Sequence, residues 1–250
     1  MSTCKSKGFC KENEQFLCLK NNNNSILLKK LTLNNLLLNF LTALLLIFFA
    51  ITAKPAAAQN TVKIKSENFS FTSNNRQIRG AAFYPDAPGK YPGVLVINGN
   101  PESFAKEGFF AVTLQSDDDK DYRIAIDKMT NHQNCKPGIG ITGFSYGGAL
   151  SLVLAAKNPK VKAVVEVSGL LVPQNNIDLT KDIQAAVMFI SGEKDPMVPV
   201  SGTRKMFEEH KKTGKPSDIY IVPNQGHGFT PEYNIIVFRK SVEFFRKNLK

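Results

Sequence analysis

The stretch from Ile139 to Leu150, IGITGFSYGGAL, constrains this chain more than any other. Ile139 and Ile141 lead into it as a short apolar, β-branched run. Ala149 to Ala156 leaves it rich in Ala and Leu, with no proline before Pro159. The pattern predicts a strand, a sharp turn and a helix, with Ser145 at the turn inside a G-x-S-x-G frame. Such a turn lifts the serine hydroxyl clear of the sheet, and it forms only where strand and helix cross closely. Gly143 and Gly147 remove the Cβ atoms that would collide there. Ser145 is therefore a candidate nucleophile. Three fixed positions are weak evidence alone, so the rest of the chain has to supply a base and an orienting acid.

Around this motif the sequence alternates strand and helix patterns. Thr61 to Phe71 alternates polar and apolar residues, a turn at Ser73 to Asn75 follows, and Ile78 to Tyr84 completes an expected antiparallel hairpin at a sheet edge. Gly93 to Asn98 (GVLVIN), Phe109 to Leu114, Val161 to Val167 and Ala185 to Ile190 are continuous apolar runs, as in strands buried on both faces. A short, helical link is expected at Glu102 to Gly108, and further helices at about Val200 to Lys212 and Glu232 to Asn248, with a strand at Asp218 to Val222 between those two. Alternating buried strands and helices predict one α/β domain: a doubly wound, mostly parallel sheet of about eight strands with helices on both faces. No internal repeat and no second domain is evident.

On such a sheet the ligand-facing loops are those at the carboxyl ends of the strands. Asp195, in GEKDPMVP, follows the Ala185 to Ile190 strand, and His227, in NQGHGF, follows the Asp218 to Val222 strand. Both fall on the rim that carries Ser145, in the chain order Ser, Asp, His. A serine hydroxyl is a poor nucleophile until a neutral imidazole takes its proton; His227 would do so, and Asp195 would fix the imidazole tautomer. Gly226 and Gly228 suit a loop that bends close to the serine. Glu193 and Asp182 are rival acids. His210 sits in EEHKK and reads as a solvated helix face, and His132, in a polar linker, also reads as solvated. For the oxyanion, one donor is expected from the backbone N–H of Tyr146, and a second from Asn100 or Gly99, because Pro101 has no N–H.

GFSYGG, GEKDPMVP and GHGF, with YPGVLVINGN, together resemble the dienelactone hydrolase family of the α/β-hydrolases, from about Ile78 to the end. The resemblance implies an eight-stranded α/β-hydrolase sheet and hydrolysis of esters, lactones or similar acyl bonds without a cofactor. Two departures matter. Founding members carry a cysteine where this chain has Ser145, which resembles the family's serine esterases instead. The segment between Asn98 and Phe109 is shorter than usual, and Asn98 replaces the histidine of the common His-Gly pair. The expected function is hydrolysis of a carboxylic ester, lactone or thioester of a small-molecule acyl substrate through an acyl-enzyme. A peptidase or acyltransferase on the same triad, and a non-catalytic binding protein on a hydrolase fold, are the competing readings.

The acidic cluster Asp117, Asp118, Asp119 and Asp121 reads as a helix start that offsets the helix dipole, and no metal site is expected from it. Leu36 to Ile51 is an apolar stretch preceded by Lys29 and Lys30 and followed by Lys54, Pro55 and Ala56 to Ala58, the order of a secretory signal. The reading is a leader at 1–58 and a hydrolase domain at 59–250, secreted or periplasmic, with a membrane-anchored form as the alternative if the stretch is not cleaved. Cys135 is the one cysteine after the leader, so no internal disulfide is expected, and its polar surroundings predict a loop or edge position. Removing the leader's lysines and acids lowers the formal charge from +11 to +6, spread along helices without aromatic interleaving. That is a solvated basic surface, not a nucleic-acid site.

Overall fold

Apolar runs build the sheet. The structure, a computed structural model, describes residues 62–250 apart from 157 and 170–172; the leader, the 36–51 stretch and the expected cleavage point lie outside the described residues. Strands β1 (Ile64–Asn68), β4 (Gly80–Pro85), β5 (Tyr91–Ile97), β6 (Phe110–Leu114), β7 (Cys135–Phe144), β8 (Val161–Val167), β9 (Ala186–Gly192) and β10 (Ser217–Val222) form one eight-stranded sheet in the order β1-β4-β6-β5-β7-β8-β9-β10. Every pairing from β6 to β10 is parallel, and β4 alone runs against its neighbours. The expected antiparallel pair at the sheet edge is present as β1 with β4, but the expected turn does not join them directly. The Ser73–Asn75 turn closes a separate two-stranded ribbon of β2 (Phe71–Ser73) and β3 (Arg76–Ile78), with Asn74 and Asn75 in left-handed conformation (φ 48° and 59°). Such paired left-handed residues match the twist of a tight two-residue hairpin.

Helices α1 (Pro101–Lys106), α2 (Asp119–Thr130), α3 (Tyr146–Ala156), α4 (Pro173–Thr180), α5 (Val200–Lys211) and α6 (Pro231–Asn248) connect these strands. Period-two alternation splits the core across the sheet. Leu95 and Ile97 of β5 pack on the side of α2, α3 and α5 through Ile126, Met129, Leu152 and Met206. Val94 and Val96 point to the other side, where Phe104 of α1 and Val237, Phe244 and Phe245 of α6 cover them. α3, the helix after Ser145, is buried nearly all round, as its Ala/Leu composition requires.

The acidic cluster is structural. Asp118 caps α2 by accepting the Lys120 N–H at 3.0 Å, and buried Asp121 accepts from Ser116 Oγ (2.6 Å) and Arg76 (3.2 Å). Three residues differ from the sequence reading. Cys135 is not in a loop or at an edge: it opens β7, in the middle of the sheet, and is 1% exposed. His210 is fully buried under α5, with Nδ1 2.6 Å from Ser217 Oγ and Nε2 3.2 Å from the Ala185 carbonyl. It shares a helix face with Thr203 and Met206, and that spacing outweighs its charged sequence neighbours. His132 is packed over Phe110 (ring centroids 4.5 Å apart), with Nε2 2.7 Å from Glu67.

Candidate active site

The turn between β7 and α3 holds Ser145 at φ 55°, a left-handed conformation that non-glycine residues rarely adopt. It persists because the flanking structure fixes it. The Ser145 N–H donates to the Val167 carbonyl at 2.9 Å, and the Ser145 carbonyl accepts the Ala149 N–H at 3.0 Å, which starts the helix. The two frame glycines are sterically required. A Cβ on Gly143 would strike the backbone of Gly147, and one on Gly147 would lie 2.7 Å from the Ile97 carbonyl oxygen.

The structure brings together the three residues that sequence reasoning grouped. His227 Nε2 lies 2.9 Å from Ser145 Oγ, and His227 Nδ1 lies 2.9 Å from Asp195 Oδ2. The second carboxylate oxygen, Asp195 Oδ1, accepts backbone N–H groups from Met197 and Val198, each at 2.9 Å. Its side chain is fully buried and that of His227 is 18% exposed, so the imidazole faces a partly open site. The Phe144 ring lies 5.0 Å from the imidazole, centroid to centroid.

The rival acids have other places. Glu193 accepts the Asn224 N–H at 2.8 Å and so ties the loop after β9 to the loop after β10. Asp182 is exposed in the turn after α4. The loops carrying Asp195 and His227 are bound further by Lys194 N–H donating to the Gln225 carbonyl at 2.8 Å. The glycine that this approach needs is Gly192, whose added Cβ would lie 2.6 Å from the Gln225 carbonyl oxygen; Gly226 and Gly228 have space around them, contrary to the sequence reading.

Sequence reasoning missed Glu166. It lies on β8 among apolar residues, is wholly buried, and accepts the Gly169 N–H. Burial pushes its carboxyl up to about 8, against a smaller opposing effect of the Gly169 hydrogen bond. Glu166 thus holds the Ser168–Gly169 bend directly after Val167, whose carbonyl anchors Ser145, and Gly169 in turn packs on Gly148 and Ala149 of α3. The signal was one acid inside VKAVVEV, which alternation turns inward with Val164.

Of the expected oxyanion donors, Tyr146 is the first residue of α3, and its hydroxyl donates to the Asp117 carbonyl at 2.9 Å. Pairing of Ile97 with Gly143 sets the loop after β5 beside the nucleophile turn. There Asn98 is left-handed (φ 55°), and the Asn100 side chain caps α1 by accepting the Glu102 N–H at 3.0 Å. Among the described residues, no group of three or more His, Cys, Asp or Glu side chains is arranged to hold a metal ion.

This topology and turn define an α/β-hydrolase fold, and comparison with known proteins agrees. Over 75% of the chain it superposes on an acylaminoacyl peptidase of Pyrococcus horikoshii (TM-score 0.67, 17% identity, 42% of that chain). Over 74% it superposes on the "Putative Dienelactone Hydrolase" of Klebsiella pneumoniae (TM-score 0.64, 20% identity, 99% of that chain). Residues 111–244 match the profile of the dienelactone hydrolase family, and the chain belongs to that family. Among curated relatives, the "Putative carboxymethylenebutenolidase" of Methylorubrum extorquens is 34% identical over 122 residues, 46% of this chain and 42% of the relative. The match thus spans about two fifths of that relative's length. The family match starts beyond the Asn98–Asn100 loop.

Proposed function

We propose that this chain is a serine hydrolase that cleaves a carboxylic ester, lactone or thioester through an acyl-enzyme on Ser145. The observation that carries this reading is the unbroken relay from Ser145 Oγ through His227 to Asp195 and two backbone amides, each link 2.9 Å. His227 Nε2 accepts the hydroxyl proton as Ser145 Oγ bonds to the acyl carbon, and then returns it to the departing alkoxide or thiolate. Asp195 stabilises the imidazolium so formed. Water, deprotonated by the same imidazole, releases the acid and restores Ser145. The tetrahedral oxyanion is held by the backbone N–H of Tyr146 and by that of Gly99 or Asn100. No step calls for a cofactor.

Family membership favours esters and lactones over peptides. We also place the protein outside the cytoplasm, on the order of basic, apolar and small residues from Lys29 to Ala58. Among the described residues, no helix is long and apolar enough to cross a membrane. An amino-terminal sequence of exported protein beginning near Gln59 tests that placement. The chemistry is tested by a panel of p-nitrophenyl esters on the full chain and on Ser145→Ala: turnover lost with the hydroxyl is expected, and equal turnover by both proteins overturns the reading.

A further inference from the structure

Beside the triad, on the α6 face of the sheet, lies a cavity of about 210 Å³. Its apolar walls are Phe104, Phe144, Phe229, Val237 and Phe238, with Val96 and Val167 beneath. The exposed residues Asn98–Asn100 and Asn234 stand at its solvent side. The short segment after β5 lines one side of it. α1 has only six residues and contributes Phe104 to the cavity wall.

Two observations connect it to the reacting atoms. Phe144 directly precedes Ser145 and its ring lies against His227, and the Asn98–Asn100 loop proposed to hold the oxyanion lines the same space. An ester carbonyl attacked by Ser145, with its oxygen toward that loop, has the cavity next to its acyl substituent. A third observation concerns charge: none of the lining side chains is Lys, Arg, His, Asp or Glu. An acyl chain ending in a carboxylate would lose hydration there with no cation to pair with.

We propose that this cavity is the acyl pocket, and that the enzyme selects short, uncharged, apolar acyl groups against acyl groups that end in a carboxylate. The proposal rests on the hydrolase reading above. A volume of about 210 Å³ suits a chain of a few carbons.

Each methylene that enters such a pocket raises kcat/KM about fourfold, the equivalent of its burial free energy. On the full chain, p-nitrophenyl butyrate is therefore expected to exceed the acetate by about fifteenfold. The hemisuccinate, which replaces the terminal methyl of butyrate by a carboxylate, is expected about a hundredfold or more below butyrate. Val237→Phe and Asn234→Phe, one inside the pocket and one at its exposed side, should each bring the butyrate-to-acetate ratio close to one. That ratio is independent of the fraction of folded enzyme. Butyrate no better than acetate, hemisuccinate as good as butyrate, or an unchanged ratio in both variants overturns the proposal.

Binding to Ser145→Ala separates this failure from failure of the hydrolase reading. Methyl butyrate should shift the amide resonances of Phe144, Phe229 and Asn234, and monomethyl succinate should not. That result with an inactive wild type leaves the pocket standing and removes the chemistry; the reverse preference, or shifts elsewhere only, removes the pocket.

Discussion

Asp195→Asn asks whether the buried acid works by fixing the histidine tautomer. In the wild type, Asp195 Oδ1 is held by the N–H groups of Met197 and Val198 and Oδ2 faces His227 Nδ1, all at 2.9 Å in a fully buried position. An asparagine keeps its carbonyl oxygen on those two amides and therefore turns its NH₂ toward His227. The imidazole must then accept at Nδ1 and carry its proton on Nε2, where it cannot take the proton of Ser145. Flipping the amide restores the working tautomer but sets NH₂ against two backbone donors. Two buried donors left unsatisfied cost about 2–6 kcal/mol in total, which leaves the competent form at roughly one part in 30 to one part in 10⁴. The expected result is a fall in kcat for p-nitrophenyl butyrate at pH 7 toward the severe end of that range, the ~10⁴ seen for this change in a Ser-His-Asp protease. KM and the near-UV circular dichroism should change little. A loss of less than about tenfold in a folded variant would refute the tautomer argument.

Three further expectations follow from burial and close approach. Gly143→Ala presses a methyl group onto the Gly147 backbone, where no side-chain rotation relieves it; thermal unfolding and ester kinetics should show a loss of about 1–3 kcal/mol and of ~10² or more in kcat, and wild-type values in both would contradict the packing argument. The Glu166 carboxyl, pushed up to about 8 by burial, favours the protonated native state, so its contribution is fully present below its ordinary value of about 4.5 and is lost as pH rises toward 8. Denaturant unfolding should show wild type losing stability relative to Glu166→Gln by up to about 1.4 kcal/mol per pH unit across that window, and parallel pH profiles would refute it. Cys135, 1% exposed and pushed up to about 12 by burial, should resist thiol reagents in the folded protein and react fully on denaturation.

The parts of the fold legible in the sequence were those where one local signal dominates. GVLVIN, VKAVVEV and the run before Gly192 are too apolar to be anything but buried strands, and in a sheet of such strands the carboxyl ends of β7, β9 and β10 put Ser145, Asp195 and His227 on one rim. What was not legible depends on faces and neighbours rather than composition. His210 looked solvated because Glu208, Glu209, Lys211 and Lys212 surround it in sequence, yet its position seven residues after Thr203 puts it on the inward face. The sequence pattern does not signal α4, because PQNNIDLT is polar and poor in strong helix formers. Gly192 and Glu166 serve contacts between segments distant in sequence, which no local pattern records. The short 98–109 segment left the oxyanion loop open as a question; in three dimensions the same segment lines one side of the cavity beside Ser145.

Ser145 as a nucleophile activated by His227 is the central claim, and reaction of the full chain with a fluorophosphonate, followed by peptide mapping, tests it most directly. The account predicts a single phosphonylated residue, Ser145, with labelling abolished in Ser145→Ala and slowed by at least about a hundredfold in His227→Ala. A folded wild-type protein that remains unlabelled, or that is labelled at another residue, would contradict it.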